Sequence, residues 1–129
     1  MKILLDTQCW LWMAAQPERL SDQARSLIET TDNDLYLSAV SAWEIAIKYS
    51  LGKLRLPEPP VLYVPSRLQV TQTTPLPIEH SHALHVTMLP PHHNDPFDRL
   101  LIAQAQLEDL PILTADSVFA RYAVATIPA

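Results

Sequence analysis

The sequence predicts an α/β fold in which a central, mostly parallel sheet is flanked by helices. Apolar runs of strand length alternate along the chain with longer segments that carry apolar residues at helical spacing. Such alternation is typical of parallel sheets, because each crossover places a helix on one face of the sheet. The length of 129 residues matches one typical domain, so we predict a single domain over residues 1–129.

The first strand and the first two helices are predicted within the first 31 residues. The run KILLD (2–6) is apolar and has no room for a helix before the polar residues that follow, which predicts a buried strand. QCWLWMAA (8–15) then favours a first helix. LSDQARSLIETT (20–31) has Ser21 at the N-cap position and apolar residues at amphipathic spacing, which predicts a second, partly exposed helix.

A second strand and a third helix follow directly. DLYLS (34–38) predicts the strand, and SAWEIAIKYSLGKL (41–54) predicts the helix. Ser41 can cap the start of this helix, because its hydroxyl can accept a hydrogen bond from a free backbone N–H group. Gly52 can end it, because glycine tolerates the left-handed backbone at a helix C-terminus.

Prolines dominate the middle of the chain. The segment from 56 to 78 contains five prolines before Pro77, at positions 57, 59, 60, 65 and 75. We therefore predict a loop that encloses one short helix. IEHSHALHV (78–86) favours another helix, and MLPPHHND (88–95) predicts a proline-rich connection to the last third of the chain.

The last third contains one long helix and two strands. The helix is predicted from about 96 to 108, because Asp95-Pro96 combines a good N-cap with a proline at the first helical position. PILTAD (111–116) predicts a strand, and SVFARY (117–122) a helical turn. A last short strand is predicted near VATI (124–127).

Composition and charge narrow the functional classes. Nine basic and fourteen acidic residues give a net charge of -5, which argues against a broad basic surface for nucleic acid, although bound metal ions can supply positive charge locally. The single glycine excludes a glycine-rich phosphate loop. No apolar stretch suits a bilayer, and Asp6 interrupts any signal-peptide core, so we expect a cytoplasmic protein without membrane association. We expect Cys9 to pack rather than react.

Four carboxylates occupy equivalent places at the junctions between strands and helices. Asp6 and Asp116 end predicted strands, whereas Glu44 and Asp98 lie near the starts of helices. In an open α/β sheet these junctions lie along one edge, where ligands bind, so the four side chains can converge. Hard cations such as Mg²⁺ and Mn²⁺ prefer oxygen ligands. Ions held in this way beside a phosphodiester can generate hydroxide and stabilise the leaving oxygen.

Three acids of the helix starts also have a purely structural interpretation. Asp95 fits an N-cap, and Asp98 would then lie in the first helical turn, where a negative charge interacts favourably with the helix dipole. Asp116 can simply begin the helical turn that follows its strand. The residue types and spacing alone do not choose between capping and ligand binding at these positions.

The other two acids differ in how easily structure explains them. Glu44 and Lys48 have the i,i+4 spacing of a helical ion pair, which is worth only about 0.2–0.5 kcal/mol but suffices to explain a surface glutamate. Asp6 is harder to explain, because it closes an apolar strand and no basic residue follows it nearby. The sequence therefore offers no equally simple structural reason for Asp6.

The acids lie within four longer segments: LLDTQCWLW (4–12), LSAVSAWEIAIKYSLGKLRLP (37–57), DPFDRLLIAQAQ (95–106) and PILTAD (111–116). In order and spacing these segments resemble the four acidic motifs of PIN-domain ribonucleases, in particular the VapC-like toxins of bacterial type II toxin–antitoxin pairs. The resemblance extends from residue 3 to about residue 120. It implies a PIN-like three-layer sandwich and an Mg²⁺- or Mn²⁺-dependent endoribonuclease that hydrolyses RNA phosphodiester bonds.

The resemblance also implies roles for individual residues. The catalytic metal-site acids would be Asp6, Glu44, Asp98 and Asp116, and the supporting polar groups would be Thr7, Thr114 and Asp95. RNA would be cut to leave a 5′-phosphate and a free 3′-hydroxyl. A small antitoxin protein would block the site, and the toxin would form a homodimer. Gln8 departs from the pattern, since many relatives of this subgroup have histidine there.

Several alternatives remain open at this level. The chain can be a PIN-fold binding module that has lost activity. An aspartyl-phosphate enzyme would use Asp6-Thr7, but phosphatases of that class have a second aspartate where this chain has Gln8. A zinc site is conceivable at four clustered histidines, although neither a cysteine partner nor an HExxH pattern supports it: His82, His85, His92 and His93. We expect three tryptophans to pack in the core rather than stack on bases: Trp10, Trp12 and Trp43.

Overall fold

The computed structural model describes all residues from Met1 to Ala129 and has a five-stranded sheet at its centre. Every neighbouring pair of strands is parallel, and the strand order is β3-β2-β1-β4-β5. The α/β fold with a parallel sheet is therefore confirmed. The strands are β1 (Lys2–Leu5), β2 (Asp34–Ser38), β3 (Thr73–Leu76), β4 (Ile112–Thr114) and β5 (Thr126–Pro128).

Six helices cover the two faces of this sheet. They are α1 (Thr7–Ala15), α2 (Asp22–Glu29), α3 (Ala39–Ser50), α4 (Pro60–Val70), α5 (His80–His85) and α6 (Pro96–Glu108). Short 3₁₀ turns occupy 17–19, 86–88 and 117–121. None of the helices combines the length and the apolar character that crossing a bilayer requires.

The two faces of the sheet carry separate hydrophobic cores. Alternate residues of β1 point to opposite faces, so that Ile3 and Leu5 join the first core and Leu4 joins the second. Cys9 and Trp10 of α1 are fully buried in the first core, and burial raises the pKa of the Cys9 thiol to about 12. Cys9 is therefore a packed core residue rather than a reactive thiol, as predicted.

The cap of α3 differs from the prediction. The helix begins at Ala39, directly after β2, so its N-cap is the last strand residue, Ser38, whose Oγ accepts a hydrogen bond from the N–H of Val40 at 3.0 Å. Ser41 instead lies buried in the first turn. The prediction of Ser41 as the cap was wrong because the helix begins two residues earlier, at Ala39. Gly52 does follow the helix end, with a φ of 72° that glycine adopts without strain.

The proline-rich segment is more regular than predicted. It forms α4, which is 11 residues long and includes Pro65, and also the strand β3, which the sequence pattern missed. Pro60 lies at the start of α4, where its missing N–H needs no partner, and Pro65 is exposed. Pro75 is tolerated because β3 is an edge strand.

The tryptophans do not share one environment. Trp10 is fully buried and Trp12 is half-buried, but Trp43 is 59% exposed. Trp43 lies about 200° around α3 from Ile45, which faces the core, and the edge of its ring packs against Phe97 at 5.2 Å between centroids. The expectation that Trp43 belongs to the core was therefore wrong.

Candidate active site

A cleft of about 520 Å³ opens at the carboxyl edge of the sheet. It lies where the strand order changes direction, between the ends of β1 and β4, which is the usual ligand position in open α/β sheets. The cleft is lined by five acids, Asp6, Glu44, Asp95, Asp98 and Asp116, and by two lysines, Lys48 and Lys53. All four acids singled out in the sequence are thus brought together.

Asp6 follows β1 directly and is 92% buried at the floor of the cleft, with 8% of its surface exposed. It occupies the N-cap position of α1, but its side chain makes no capping hydrogen bond. Instead, the Thr114 hydroxyl donates a hydrogen bond to Oδ2 at 2.8 Å. Burial raises the pKa of Asp6, and nearby carboxylates raise it further, while the Thr114 bond opposes the shift. Helix capping therefore does not explain Asp6.

Glu44 lies in the second turn of α3, and only 5% of its surface is exposed. The ammonium group of Lys48, one turn later, donates a hydrogen bond to Oε2 at 2.6 Å. This bond raises the pKa of Lys48, so the lysine stays charged beside the glutamate. The predicted i,i+4 pair exists, but it lies in the cleft rather than on an open surface.

Asp95 and Asp98 lie in the same turn but use their oxygens differently. Asp95 is the N-cap of α6, and its Oδ1 accepts hydrogen bonds from the N–H groups of Phe97 at 2.8 Å and Asp98 at 3.2 Å. The side chain of Asp98 makes no capping bond and contributes its carboxylate to the cleft. The stretch NDPFD is therefore both a helix start and part of an acidic site.

Burial raises the pKa of Asp98 to about 8, and the surrounding negative charges add to this effect. These charges come, in decreasing order, from Asp6, Asp95, Glu44 and Asp116. Without a cation, the cluster therefore favours a protonated Asp98 near neutral pH. A strongly shifted acid in a cleft is typical of functional sites.

The two carboxylate oxygens of Asp116 have different partners. Its Oδ1 accepts a hydrogen bond from the N–H of Val118 at 3.0 Å and so caps the 3₁₀ turn that follows β4. Its backbone N–H donates to the Thr114 hydroxyl at 3.0 Å. Its Oδ2 faces Nε2 of His93 at 3.3 Å. Thr114 therefore connects the first acid to the fourth.

His93 is the site residue that the sequence did not single out on its own. Its Nε2 lies 2.9 Å from Oδ2 of Asp98 as well as 3.3 Å from Asp116. Each of these three residues has one side-chain atom that could bind a metal ion, and the three atoms lie within 4.8 Å of one another. A signal existed in its position two residues before the N-cap Asp95, because that short turn leads into the edge of the sheet where the acids meet.

The four clustered histidines do not assemble a zinc site. His82 is buried, and its Nε2 contacts Glu108 at 2.8 Å, whereas His85 contacts Gln106 at 2.7 Å. His92 is exposed, and its ring packs against Tyr122. The four rings do not converge on one point, because each one contacts a different residue elsewhere in the fold.

The supporting threonines have distinct contacts. The Thr7 hydroxyl donates a hydrogen bond to Oγ of Ser41 at 2.7 Å, which joins the starts of α1 and α3. Thr114 binds Asp6 directly, as described above. Gln8 is exposed and lines the cleft without a hydrogen bond that would assign it a role.

The chemistry of the cleft fits a hard divalent cation. Its acids offer several carboxylate oxygens, which Mg²⁺ and Mn²⁺ prefer as ligands. Of the two lysines, Lys48 already neutralises Glu44. Burial, and after it the neighbouring carboxylates, raise the pKa values of Asp6 and Asp98, so a bound cation would stabilise the charged form of both acids.

The sequence profile of the PIN domain matches residues 3–125, which include every acid of the cleft. The chain belongs to the PIN domain family. A stretch of 64 residues is 47% identical to Ribonuclease VapC16 of Mycobacterium tuberculosis (strain ATCC 25618 / H37Rv). This match covers 50% of the present PIN domain chain and 45% of that relative, so the chain spans about half the length of the curated relative it matches.

Solved structures share the fold of this PIN domain over nearly its whole length. DNA-bound VapBC from Salmonella typhimurium superposes with a TM-score of 0.72 at 16% identity and covers 99% of this chain and 98% of that one. VapBC2 from Rickettsia felis, bound to a promoter DNA fragment, gives 0.68 at 15% identity with coverages of 99% and 98%. FitAcB from Neisseria gonorrhoeae gives 0.66 at 23% identity with coverages of 97% and 96%. At these identities the similarity establishes the three-layer PIN fold.

Proposed function

We propose that this PIN domain protein is a metal-dependent endoribonuclease and the toxin of a toxin–antitoxin pair. The observation that carries the proposal is the convergence of Asp6, Glu44, Asp98 and Asp116 in one cleft at the carboxyl edge of the sheet. The similarity to a relative named as a ribonuclease supports RNA as the substrate. The fold shared with VapBC complexes supports an antitoxin partner.

In this proposal the four acids have different roles in cation binding. Asp6, Glu44 and Asp98 hold the principal ion directly or through water, and Asp116 completes a second ion position or orients the attacking water. A bound Mg²⁺ or Mn²⁺ ion would lower the pKa of a water molecule bound to it and would neutralise charge on the phosphate. Thr114 orients the Asp6 carboxylate through its hydrogen bond.

The reaction is hydrolysis of one phosphodiester bond. Water adds to phosphorus, the bond from phosphorus to the 3′-oxygen breaks, and the products carry a 5′-phosphate and a 3′-hydroxyl. Asp98 must lose its proton before it can serve as a ligand, since its pKa of about 8 favours the neutral acid in the free cleft. Lys48 and Lys53 both line the cleft, so their positive charges can attract the phosphate backbone of the RNA.

The activity is tested with purified protein and an end-labelled single-stranded RNA. We expect cleavage with Mg²⁺ or Mn²⁺, none with EDTA, and fragments with 5′-phosphate ends. Asp6→Asn and Glu44→Gln should both be inactive, while Asp109→Asn, on an exposed residue at the far end of α6, should cut like the parent. Equal cleavage by the parent and both cleft variants would exclude this site as the source of activity. A folded, metal-binding protein that cuts no RNA would favour an inactive PIN binding module.

The antitoxin proposal follows from the charge of the cleft. A cleft with five acids and two lysines is complementary to arginine, whose guanidinium can pair bidentately with a carboxylate. A small antitoxin that inserts a basic side chain would both bind the site and exclude the cation. Co-expression with an antitoxin encoded by a short reading frame next to this gene, once such a frame is identified, should yield a stable complex with little nuclease activity. A complex that cuts as fast as the free protein would contradict inhibition through the cleft.

We also propose that the toxin is a homodimer, as expected from the resemblance to its relatives. Light scattering on the purified protein should give twice the mass of the 14.5 kDa chain. A monomer mass over the concentration range of the activity measurements would contradict this proposal and leave the assignment of the cleft unaffected.

A further inference from the structure

His93 lies at the acidic cleft, but the proposed reaction gives it no role. Its side chain is 17% exposed, and one ring nitrogen faces two acids that belong to different elements. Asp98 is in α6, and Asp116 follows β4. Its Nε2 hydrogen bonds Asp116 and lies 2.9 Å from Oδ2 of Asp98, so the imidazole bridges the third acid of the site and the fourth.

The hydrogen bonds of the ring indicate which nitrogen carries its proton. The backbone N–H of Asp95 donates to Nδ1 of His93 at 3.2 Å. A nitrogen that accepts a hydrogen bond carries no proton, so a neutral ring in this position has its proton on Nε2. Nε2–H then donates to Oδ2 of Asp116 at 3.3 Å, and Oδ2 of Asp98 makes a close polar contact with the same nitrogen at 2.9 Å.

The same bonds argue against His93 as a ligand of the cation. A histidine binds a metal ion through an unprotonated nitrogen, and its other nitrogen usually donates its N–H to a carboxylate or carbonyl oxygen. If Nε2 bound the ion, the proton would move to Nδ1, where the N–H of Asp95 already points. Two donors would then face each other at the helix cap.

The surroundings hold the ring in place. The backbone N–H of His93 donates to the hydroxyl of Tyr122 at 2.7 Å, and the ring packs edge-on against Phe119 at 6.1 Å between centroids. Arg99, next to Asp98, donates to carbonyl oxygens of the preceding connection, those of Val86 at 3.1 Å and Pro90 at 2.9 Å. The segment that carries His93 is therefore braced against α6.

We propose that His93 is a positioning residue that holds the carboxylates of Asp98 and Asp116 in register for the cation and does not bind the ion itself. The inference rests on the proposed function of the cleft as a cation site. It leaves a set of ligands made of oxygen atoms alone, which suits Mg²⁺ and Mn²⁺ better than Zn²⁺. Hydrogen-bond partners of ligating groups commonly change metal affinity by about 10–100-fold when they are removed.

The tautomer can be measured directly. Two-bond ¹H–¹⁵N correlation spectra of ¹⁵N-histidine protein should be recorded at about pH 8, above the ordinary range of histidine pKa values, without metal and with saturating Mg²⁺. We expect the proton of His93 on Nε2 in both states. With Mn²⁺, pulsed electron paramagnetic resonance should detect no directly bound nitrogen. A proton on Nδ1 after Mg²⁺ addition, or a nitrogen ligand to Mn²⁺, would overturn the proposal in favour of His93 as a ligand.

Substitutions test whether the Nε2–H donor matters. His93→Gln places an amide N–H near the position of Nε2–H, whereas His93→Ala has no donor, and the exposed neighbour His92→Ala is the matched control. By calorimetry, we expect His93→Ala to bind Mg²⁺ at least tenfold more weakly, His93→Gln to recover most of the affinity, and His92→Ala to match the parent. Equal Mg²⁺ affinity in the Ala variant and the parent, or no recovery by Gln, would contradict the proposal.

These measurements use no RNA, so the two proposals fail separately. If His93→Ala does not fold, the tautomer in the parent protein and the Mg²⁺ affinity of His93→Gln still decide the question. If the parent binds Mg²⁺ as expected and cuts no RNA, the role of His93 stands and the nuclease assignment is wrong. If the parent cuts RNA and His93→Ala binds Mg²⁺ normally, the positioning role is wrong and the nuclease assignment stands.

Discussion

Asp95 and Asp98 lie three positions apart in the sequence and differ in what their carboxylate oxygens contact. The capping oxygen of Asp95 accepts two backbone N–H groups, which an asparagine oxygen accepts as well. The Asp98 carboxylate instead lies among four other acids, which raise its pKa in addition to burial. The same substitution should therefore have opposite effects at the two positions.

Asp95→Asn should leave stability and cleavage nearly unchanged. Asp98→Asn should reduce metal-dependent cleavage by more than the roughly 10–100-fold typical of residues that only support ligands, because it removes a charged ligand itself. It should also hold or raise the melting temperature of the metal-free protein, since asparagine is neutral in the unfolded chain too and needs no proton uptake on folding. Cleavage rates and metal-free melting curves of both variants decide this. If Asp95→Asn is the inactive variant, the third acid has been assigned to the wrong aspartate.

The raised pKa of Asp98 leads to a second prediction, which concerns how the free energy of unfolding depends on pH. The folded protein binds the Asp98 proton up to about pH 8, whereas an ordinary aspartate loses it near 3.8. Between these values the unfolded chain binds fewer protons, so the free energy of unfolding falls as the pH rises through this window. Urea titrations in EDTA should show this fall, and Asp98→Asn should reduce it. An unchanged slope in the variant would exclude Asp98 as its source.

At the scale of single elements, the junction of β2 and α3 depends on Ser38. Its Oγ caps the helix through the N–H of Val40, and its hydroxyl also donates a hydrogen bond to the buried Oε1 of Gln104 in α6. The fully buried Ser38 thus joins three elements. Because Glu44 lies in the second turn of α3, this cap also positions an acid of the cleft.

Ser38→Ala should lower the free energy of unfolding by roughly 1–3 kcal/mol, since it removes a helix cap and leaves a buried amide oxygen without a partner. Ser41→Ala is the informative comparison, because it removes no cap and only the one buried hydrogen bond that Thr7 donates, whereas Ser38→Ala removes two bonds. Its effect should be smaller. Urea denaturation of both variants measures the difference. A larger loss for Ser41→Ala would show that the capping bond is not what stabilises this junction.

At the scale of the whole molecule, the cleft is a site of concentrated negative charge in a protein of net charge -5. Self-repulsion among acids from β1, α3, α6 and the turn after β4 opposes folding in the absence of a cation. A ligand that binds the folded state alone stabilises it by mass action. Folding and cation binding should therefore be thermodynamically coupled.

Addition of Mg²⁺ or Mn²⁺ should raise the melting temperature of the parent protein. The stabilisation should reach roughly 2.7 kcal/mol at an ion concentration about 100 times Kd. NaCl at the same ionic strength is the control for general screening, and Asp98→Asn should lose most of the shift. No change at millimolar Mg²⁺ or Mn²⁺ would argue that the cleft does not bind these ions.

Much of the fold was accessible from local patterns. Apolar runs predicted β1 and β2, and the N-caps Ser21 and Asp95 marked the starts of α2 and α6, because these signals act over a few consecutive residues. The strand β3 was missed, since its proline is acceptable only at the edge of a sheet. Edge position is a property of the assembled sheet and has no local signal.

The sequence by itself determined the alternation of strands and helices and the four acids at their junctions, because periodicity, capping and the order of acidic motifs are local or linear properties. Only the tertiary structure decided what those acids contact. The bond between Thr114 and Asp6 joins residues 108 positions apart, and the placement of His93 depends on the packing of its connection against α6. Such contacts arise when several elements pack together, and no short window of sequence encodes their distances. For this reason the sequence predicted the acids of the cleft, and only the structure placed His93 beside them.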